Sequence, residues 1–213
     1  MPGLLITFEG GEGAGKTTQI ARIGDALESQ GLSVLRTREP GGTPSAEALR
    51  TLVKSPPSAL SPMAEALVFA AARADHVANV IKPALDKGFV VLCDRFIDST
   101  RAYQSAGGGL AMDDILTLEH LSCGDLKPDL TIIFDQPIED GLARAHQRGP
   151  QDSFEARDLA YHQRLRQAFL DIAAQEPDRC QVIDASLEVA AVSEHILAGL
   201  RPALQTLTPE GQA

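Results

Sequence analysis

The sequence predicts an α/β fold in which helices cover both faces of a five-stranded, mainly parallel sheet. Five short apolar runs are distributed along the 213 residues, and helical patterns lie between them. Three of these runs are almost continuously apolar, which is typical of strands covered on both faces. A glycine-rich loop joins the first run to the first helical pattern. Together these observations predict a single domain built from right-handed β-α-β crossovers.

The five strands are expected where the apolar runs lie between turn residues such as Gly31 and Gly88. They are predicted at Leu4–Phe8, Leu32–Leu35, Phe89–Cys93, Leu130–Phe134 and Gln181–Ile183. Polar residues follow each run. Because ligands of parallel sheets bind at the carboxyl ends of the strands, these residues are expected to form one site.

The composition limits the classes of function. The net charge of −10 argues against a general nucleic-acid binder, whose affinity depends on lysine and arginine. It also requires that a phosphate-binding site gather its positive charge locally. No apolar run approaches the roughly 18 residues of a transmembrane helix, and the N-terminus lacks the basic region of a signal peptide. The three cysteines and five histidines show no metal-ligand spacing, so we expect reduced thiols in a cytoplasmic protein.

The glycine-rich loop, from Gly10 to Thr17, fits the phosphate-binding pattern G-x-x-x-x-G-K-[ST]. Its glycines allow backbone N–H groups to turn around an anion, and the following helix N-terminus adds positive potential. Lys16 is expected to reach the β- and γ-phosphates of a nucleotide, and the Thr17 hydroxyl to hold Mg²⁺. The residues expected to bind the donor nucleotide are Gly10, Gly11, Glu12, Gly13, Ala14, Gly15, Lys16, Thr17 and Thr18.

A long helix is predicted from Ser61 to about Leu85, with Pro62 in its first turn. Phe69 and Arg73 lie four residues apart on this helix and therefore share a face. Such a pair could stack on a nucleobase and bind its acceptor edge. The alternative is a core phenylalanine beside a surface arginine.

A short helix is predicted over Asp98–Gln104, after the third strand, with Asp98 as its N-cap. Tyr103 lies on this helix. It is either part of a binding site or a half-buried tyrosine whose hydroxyl bonds to a neighbouring group.

A mobile lid is predicted at about residues 144–156. Arg144 and Arg148 are four residues apart at the end of a helix and precede the break at Gly149-Pro150. Lids of this kind bring arginines onto phosphates when they close and exclude water. The alternative is a solvated basic helix face.

Three sets of residues, in chain order, resemble the motifs of the thymidylate kinase family. They are Phe8-Glu9-Gly10 running into the loop, Arg38-Glu39-Pro40-Gly41-Gly42, and Asp94-Arg95-Phe96 with Ser99-Thr100 and Tyr103-Gln104. The resemblance covers about residues 3–200. It implies the phosphate-loop nucleoside monophosphate kinase fold with sheet order 2-3-1-4-5. It also implies phosphoryl transfer from ATP to dTMP with Mg²⁺, giving dTDP, in a cytoplasmic homodimer.

The same resemblance implies roles for individual residues. Phe69 would stack on thymine, Arg73 would bind a ring carbonyl, and Tyr103 would lie where a ribose 2′-hydroxyl would clash. The expected catalytic residues are Lys16, Arg95, Arg144, Arg148 and Glu9. The expected substrate-binding residues are Glu9, Arg38, Glu39, Pro40, Phe69, Arg73, Arg95, Ser99, Thr100, Tyr103 and Gln104. Thr17 and Asp94 are the expected metal ligands.

The sequence departs from the family pattern at the lid and matches its bacterial type in the loop. Some family members carry a catalytic arginine within the phosphate loop, at the position of Gly13. Bacterial members place arginines in the lid instead, here Arg144 and Arg148. The lid segment Asp152-Ser153-Phe154-Glu155 has serine where an arginine is usual.

Two other functions remain compatible with the sequence. The chain could phosphorylate another pyrimidine monophosphate, or it could be a phosphate-loop regulator that binds nucleotide without phosphoryl transfer.

Overall fold

The computed structural model describes residues 3–54, 60–147 and 154–207 and confirms the predicted sheet. All strand pairs are parallel, and the order is β2-β3-β1-β4-β5. The strands are β1 (Leu4–Gly10), β2 (Val34–Arg38), β3 (Val90–Asp94), β4 (Leu130–Asp135) and β5 (Cys180–Asp184). This order places β1, with the loop that follows it, at the centre of the sheet.

The helices alternate with the strands as the sequence predicts. Nine segments are α-helical within the described parts of the chain, and they are numbered in chain order. They are α1 (Lys16–Ser29), α2 (Pro44–Lys54), α3 (Pro62–His76), α4 (Lys82–Asp86), α5 (Ile97–Thr100), α6 (Met112–Cys123), α7 (Ile138–His146), α8 (Leu159–Gln175) and α9 (Val189–Gln205). Two π-helical segments, Val77–Ile81 and Arg101–Gly107, continue α3 into α4 and extend α5.

The three central strands, β1, β3 and β4, are buried on both faces, as their nearly continuous apolar sequences require, whereas the edge strands β2 and β5 are partly exposed. Ile6 and Phe8 of β1 point into a core formed with α1 and α9, and both are fully buried. Leu5, which faces the other way, packs into a second core that includes Val77 and Ile81 of the first π-helical segment. The sheet is therefore a rigid base from which the strand ends project.

The predicted strand and helix boundaries differ from the structure by one to three residues, and the largest differences are in β1, β2 and the long helix. β1 runs two residues further than predicted, to Gly10, and β2 begins two residues later, at Val34. The long helix does begin at Pro62, with the Ser61 side chain accepting from the Ala64 N–H, but it is interrupted by the π-helical turn. That turn ends two residues before Pro83, which has no N–H to donate to a helical hydrogen bond.

The prediction that Asp98 is an N-cap is wrong. α5 begins one residue earlier, at Ile97, and Phe96 occupies the capping position. Asp98 is fully buried and forms ion pairs with Arg101 and Arg179. A charged side chain in that environment is held by its arginine partners, which a local capping pattern does not reveal.

Within the described residues, no helix is long and apolar enough to cross a membrane. Cys93, Cys123 and Cys180 are buried free thiols. Part of the predicted lid, including Arg148, Asp152 and Ser153, lies outside the described residues.

Candidate active site

The phosphate loop turns tightly between β1 and α1. Gly10, Gly13 and Gly15 have φ values of 129°, 67° and 88°, a region that side chains rarely adopt. A Cβ atom on Gly13 would also lie 1.9 Å from the carbonyl oxygen of Gly141 in α7. The chain path therefore depends on glycine at this position, both for its conformation and for its close approach to α7.

The Lys16 side chain contacts the backbone of the phosphate loop. Its Nζ donates hydrogen bonds to the carbonyl oxygens of Gly10 (3.1 Å) and Gly11 (2.8 Å). Burial, together with the positive charge of Arg95, lowers the pKa of Lys16 to about 8. A bound phosphate would stabilise the protonated ammonium at this position.

The two predicted metal ligands are adjacent. Thr17 Oγ1 donates a hydrogen bond of 2.9 Å to the Oδ2 atom of Asp94. Thr17 is in the first turn of α1 and Asp94 ends β3, so both oxygens lie at the carboxyl edge of the sheet. In residues 3–54, 60–147 and 154–207, no group of three or more His, Cys, Asp or Glu side chains is arranged to hold a metal ion.

Arg95 follows β3 in a left-handed conformation, with a φ of 68°. This conformation is uncommon for a residue with a side chain. The guanidinium donates to the Gly10 carbonyl oxygen (3.0 Å) and to Ser99 Oγ (3.2 Å). It also lies 4.9 Å from the centre of the Tyr103 ring. Arg95 thus connects the phosphate loop with α5 and the π-helical segment that follows it.

Glu12, in the phosphate loop, balances the charge of Arg95. Its Oε1 atom accepts from Arg95 Nη2 at 2.6 Å and from the Tyr103 hydroxyl at 2.9 Å. Although burial opposes ionisation, the positive charges of Arg95 and Lys16 and the bond from Tyr103 lower the pKa of Glu12 to about 2. Glu12 is therefore a carboxylate at neutral pH. The contact with Tyr103 agrees with the expectation that this hydroxyl bonds to a neighbouring group.

Glu9 is fully buried at the end of β1 and holds the segment that begins at Arg95. Its Oε1 accepts from the Phe96 N–H (2.7 Å), and its Oε2 accepts from Ser99 Oγ (2.6 Å). Burial and the negative charge of Asp98 raise the pKa of Glu9 to about 7. Because the Arg95 guanidinium also bonds to Ser99, Glu9 positions that arginine indirectly.

Arg73 is buried, which rules out the alternative that it is a surface charge. Its Nε donates to Glu39 Oε2 (2.7 Å), and its Nη2 donates to the Phe96 carbonyl oxygen (2.8 Å). His76 Nδ1 lies 3.1 Å from the other oxygen of Glu39. Phe69, one turn before Arg73, is half-buried and faces the same cavity. The helix pair predicted from the sequence therefore lies at the site.

A cleft of about 430 Å³ brings most of the predicted site residues together. Its lining includes loop residues, strand-end residues and the face of α3. The predicted residues that line it are Glu12, Gly13, Ala14, Gly15, Lys16, Thr17, Arg38, Glu39, Pro40, Phe69, Arg73, Asp94, Arg95, Ser99, Thr100, Tyr103 and Gln104. Glu9 and Gly10 lie behind this lining and reach it through Ser99 and Arg95.

A second cavity, of about 260 Å³, is also lined by the phosphate loop. Arg144 and Thr18 line it together with Gly13. Leu187 and Val189, which follow β5, complete one of its walls. Gly13, Ala14 and Gly15 of the loop line both cavities, whereas Arg95 lines only the first and Arg144 only the second.

Several cleft residues were not predicted from the sequence. Arg50 and Lys54 of α2 line the cleft, and Arg50 Nη1 donates to the Pro40 carbonyl oxygen at 2.8 Å. Phe154 and Glu155, at the end of the predicted lid, line it as well. The four-residue spacing of Arg50 and Lys54, on the helix after the Arg-Glu-Pro-Gly-Gly segment, was an available signal. The position of Phe154 had no comparable local signal.

The cleft concentrates cations in an acidic protein, as expected from the net charge of −10. Among the described residues, six basic side chains line it, Lys16, Arg38, Arg50, Lys54, Arg73 and Arg95, against four acidic ones, Glu12, Glu39, Asp94 and Glu155. Such a concentration suits a ligand with several phosphate charges.

The fold, the phosphate loop and the two cavities that this loop lines define a protein of the nucleoside monophosphate kinase class. The sequence model of one family in this class, thymidylate kinase, matches residues 8–196. The chain therefore belongs to the thymidylate kinase family.

Relatives and a solved structure agree with this assignment. The chain is 53% identical over 208 residues to a thymidylate kinase from Bradyrhizobium sp. (strain ORS 278), covering 96% of this chain and 92% of the relative. It is 53% identical over 195 residues to one from Caulobacter vibrioides, covering 91% and 94%. The crystal structure of thymidylate kinase from Ehrlichia chaffeensis is similar, with a TM-score of 0.78 and 36% identity. That comparison covers 94% of this chain and 99% of the other.

Proposed function

We propose that the chain catalyses the ATP-dependent phosphorylation of dTMP to dTDP. The observation that carries this proposal is the position of Arg95. Its guanidinium bonds to the phosphate-loop residues Gly10 and Glu12 and also to Ser99 in the neighbouring cleft. A cation at this junction can contact a phosphate of each nucleotide while they react.

ATP is assigned to the phosphate loop and to the second cavity. The loop N–H groups and Lys16 bind its phosphates, and the cavity beyond Gly13 and Thr18 takes the nucleoside. Arg144 lies in this cavity, and together with Arg148 it supplies the positive charge of the lid. The lid at about residues 144–156 is part of one domain that comprises residues 1–213.

Mg²⁺ fits beside the loop. Hard cations prefer oxygen ligands, and Thr17 Oγ1 and the Asp94 carboxylate lie together at this position. Thr17 and Asp94 would hold the ion, Asp94 directly or through water. When bound, it would neutralise charge on the phosphates of ATP.

The dTMP base is assigned to the part of the cleft between α3 and the second π-helical segment. Phe69 offers a ring for stacking, and Arg73 is fixed by Glu39 and by the Phe96 carbonyl oxygen. Gln104, Ser99 and Thr100 line the same cleft, and Gln104 Nε2 donates a hydrogen bond of 3.1 Å to Glu65 of α3. The ring of Tyr103 closes the region assigned to the sugar, so it leaves little room for a 2′-hydroxyl.

The reaction requires positioning and charge stabilisation more than proton transfer. The phosphate oxygen of dTMP is already a nucleophile, so it needs no strong general base. Lys16, Arg95 and the lid arginines stabilise negative charge on the transferred group. Glu9 has a structural part in this scheme, because it fixes Ser99 and the backbone at Phe96.

We further propose that the protein is a cytoplasmic homodimer that pairs through α3 and α6. Leu67 of α3 and Leu116 and Leu121 of α6 are 50%, 43% and 73% exposed, and the two helices pack side by side. Exposed apolar groups on adjacent helices suit contact with a second copy. Light scattering of the wild type should give a dimer mass, and Leu121→Glu should shift it towards the monomer. A monomeric wild type would contradict this assignment.

The activity is tested by comparing acceptors. With ATP and Mg²⁺, turnover of dTMP should exceed that of dUMP, dCMP and AMP. AMP as the best acceptor would contradict the thymidylate assignment. ATP hydrolysis unaffected by any added nucleotide would instead favour a nucleotide-binding regulator.

A further inference from the structure

Arg179, directly before β5, is fixed by an extensive set of hydrogen bonds. Its Nη1 and Nη2 atoms donate to the two oxygens of Asp98, each at 2.8 Å. Nη1 also donates to Thr131 Oγ1 at 2.7 Å, and Nε donates to Glu176 Oε2 at 2.7 Å. A planar guanidinium suits this two-pronged contact with a carboxylate, whereas an ammonium group could not reproduce it.

Asp98 depends on this arginine. Its side chain is fully buried in α5, and a buried carboxylate requires a partner charge. Arg101 is a weaker partner, because its Nη1 lies 3.5 Å from Asp98 while its guanidinium bonds to Glu119 at 2.8 and 2.9 Å. Thr131 Oγ1 also contacts Asp98, at 3.3 Å. Arg179 therefore provides most of the compensation for the Asp98 charge.

Asp98 and Arg179 lie next to the part of the cleft that is assigned to dTMP, the phosphate acceptor. Asp98 is followed by Ser99, whose hydroxyl bonds to Glu9 at 2.6 Å and accepts from Arg95 at 3.2 Å. Asp98 therefore anchors the short helix whose next residue joins Glu9 to Arg95. α5 continues directly into the π-helical segment Arg101–Gly107, so Asp98 lies in the first turn of this combined helix.

We propose that Arg179 is a positioning residue for the acceptor nucleotide, and that it acts through Asp98 on Ser99, Glu9 and Arg95. This inference rests on the proposed function. Loss of Arg179 would leave the buried Asp98 carboxylate near Glu9 with only its weaker contacts to Arg101 and Thr131, and would loosen the first turn of α5. The contacts of Lys16 and Thr17 in the phosphate loop would remain, so ATP binding should change little.

The decisive variant is Arg179→Leu, which removes the charge and the hydrogen bonds. We expect it to raise KM for dTMP by roughly tenfold or more, with KM for ATP changed less than about twofold. Arg36→Leu is the matched control, because Arg36 also bonds two carboxylates, Asp25 and Glu28, but lines neither cavity of the site. It should leave both KM values unchanged.

A double variant tests the route through Asp98. Asp98→Asn removes the charge that Arg179 compensates, so Arg179→Leu should have a much smaller effect in that background. If the leucine variant does not fold, Arg179→Lys replaces it, with an expected rise of about threefold in KM for dTMP, since lysine cannot bond both oxygens in the same plane.

Two results would overturn the inference. One is an unchanged KM for dTMP in a variant that only lowers the unfolding temperature, which would make Arg179 a stability residue. The other is independent, multiplicative effects of the Asp98 and Arg179 substitutions. Absence of dTMP phosphorylation by the wild type would be a different result, because it would contradict the proposed function itself.

Discussion

Arg95 donates a hydrogen bond of 2.6 Å to Glu12. This bond joins the part of the cleft assigned to dTMP to the phosphate loop. The Tyr103 hydroxyl donates to the same carboxylate oxygen, at 2.9 Å. Since Glu12 has a pKa of about 2, it remains ionised and compensates Arg95 at neutral pH. The guanidinium is thus held in place before a phosphate reaches it, which is the preorganisation that phosphoryl transfer requires.

Arg95→Ala should lower kcat/KM for dTMP by more than about tenfold while ATP still binds. The reason is that the variant loses the cation at the junction of the two nucleotides but keeps Lys16 and the loop. Steady-state kinetics and ATP titration by calorimetry would measure the two effects. Arg166→Ala is the control, because Arg166 makes a two-pronged ion pair with Asp135 and is 44% exposed. Turnover of Arg95→Ala within twofold of wild type would refute the assigned role.

Tyr103→Ala should relax discrimination against ribonucleotides. Removal of the ring opens space where the sugar is expected, so the preference for dTMP over its ribo analogue should fall by roughly tenfold. Tyr103→Phe is the matched control, since it removes only the hydroxyl that bonds to Glu12 and retains the ring. The ratio of kcat/KM values for the two acceptors measures the effect. Equal preference in the wild type and Tyr103→Ala would reject a steric role.

Gly13→Ala should weaken ATP binding by at least about tenfold, because a side chain there would be strained and would collide with Gly141. Gly11→Ala is the control for a loop substitution without a collision, since a Cβ atom at Gly11 meets no described atom within 4 Å. Its effect should be several times smaller. KM for ATP and nucleotide titration would report the difference, and equal losses in the two variants would show that the contact with α7 is unimportant.

Glu9 should make stability depend on pH. Its pKa is raised from 4.5 to about 7, so between these values the folded protein binds more protons than the unfolded chain. The contribution of Glu9 to the free energy of unfolding therefore falls by about 3 kcal/mol in total as pH rises from 4.5 to 7. Relative to the wild type, Glu9→Gln should become more stable by about this amount between pH 4.5 and 7. Urea unfolding at several pH values would measure this difference. Parallel stability curves for the two proteins would contradict the assignment.

Local patterns in the sequence were sufficient for the strands and for the phosphate loop, whereas the order of the strands in the sheet was implied by the family resemblance. Continuous apolar runs predict buried parallel strands, and the loop pattern places Lys16 and Thr17 at a helix N-terminus. The four-residue spacing likewise places Phe69 and Arg73 on the face of α3 that lines the cleft. These predictions succeed because periodicity and backbone geometry determine them within a few residues.

Contacts between distant residues were beyond such patterns. Asp98 has the local features of an N-cap, but its partner Arg179 is 81 residues away. Phe154 packs against Phe69 and Tyr103, with ring centres 6.1 and 5.8 Å apart, and this contact also depends on the tertiary fold. The role of Arg148 remains a prediction, since it lies outside the described residues.

The most direct measurement of the central claim is a single-turnover reaction with ATP labelled in its γ-phosphate, Mg²⁺ and dTMP. The account predicts that the label appears in dTDP, that its appearance requires dTMP, and that Arg95→Ala slows the transfer by more than about tenfold. Label released only as inorganic phosphate, at the same rate with and without dTMP, would contradict it.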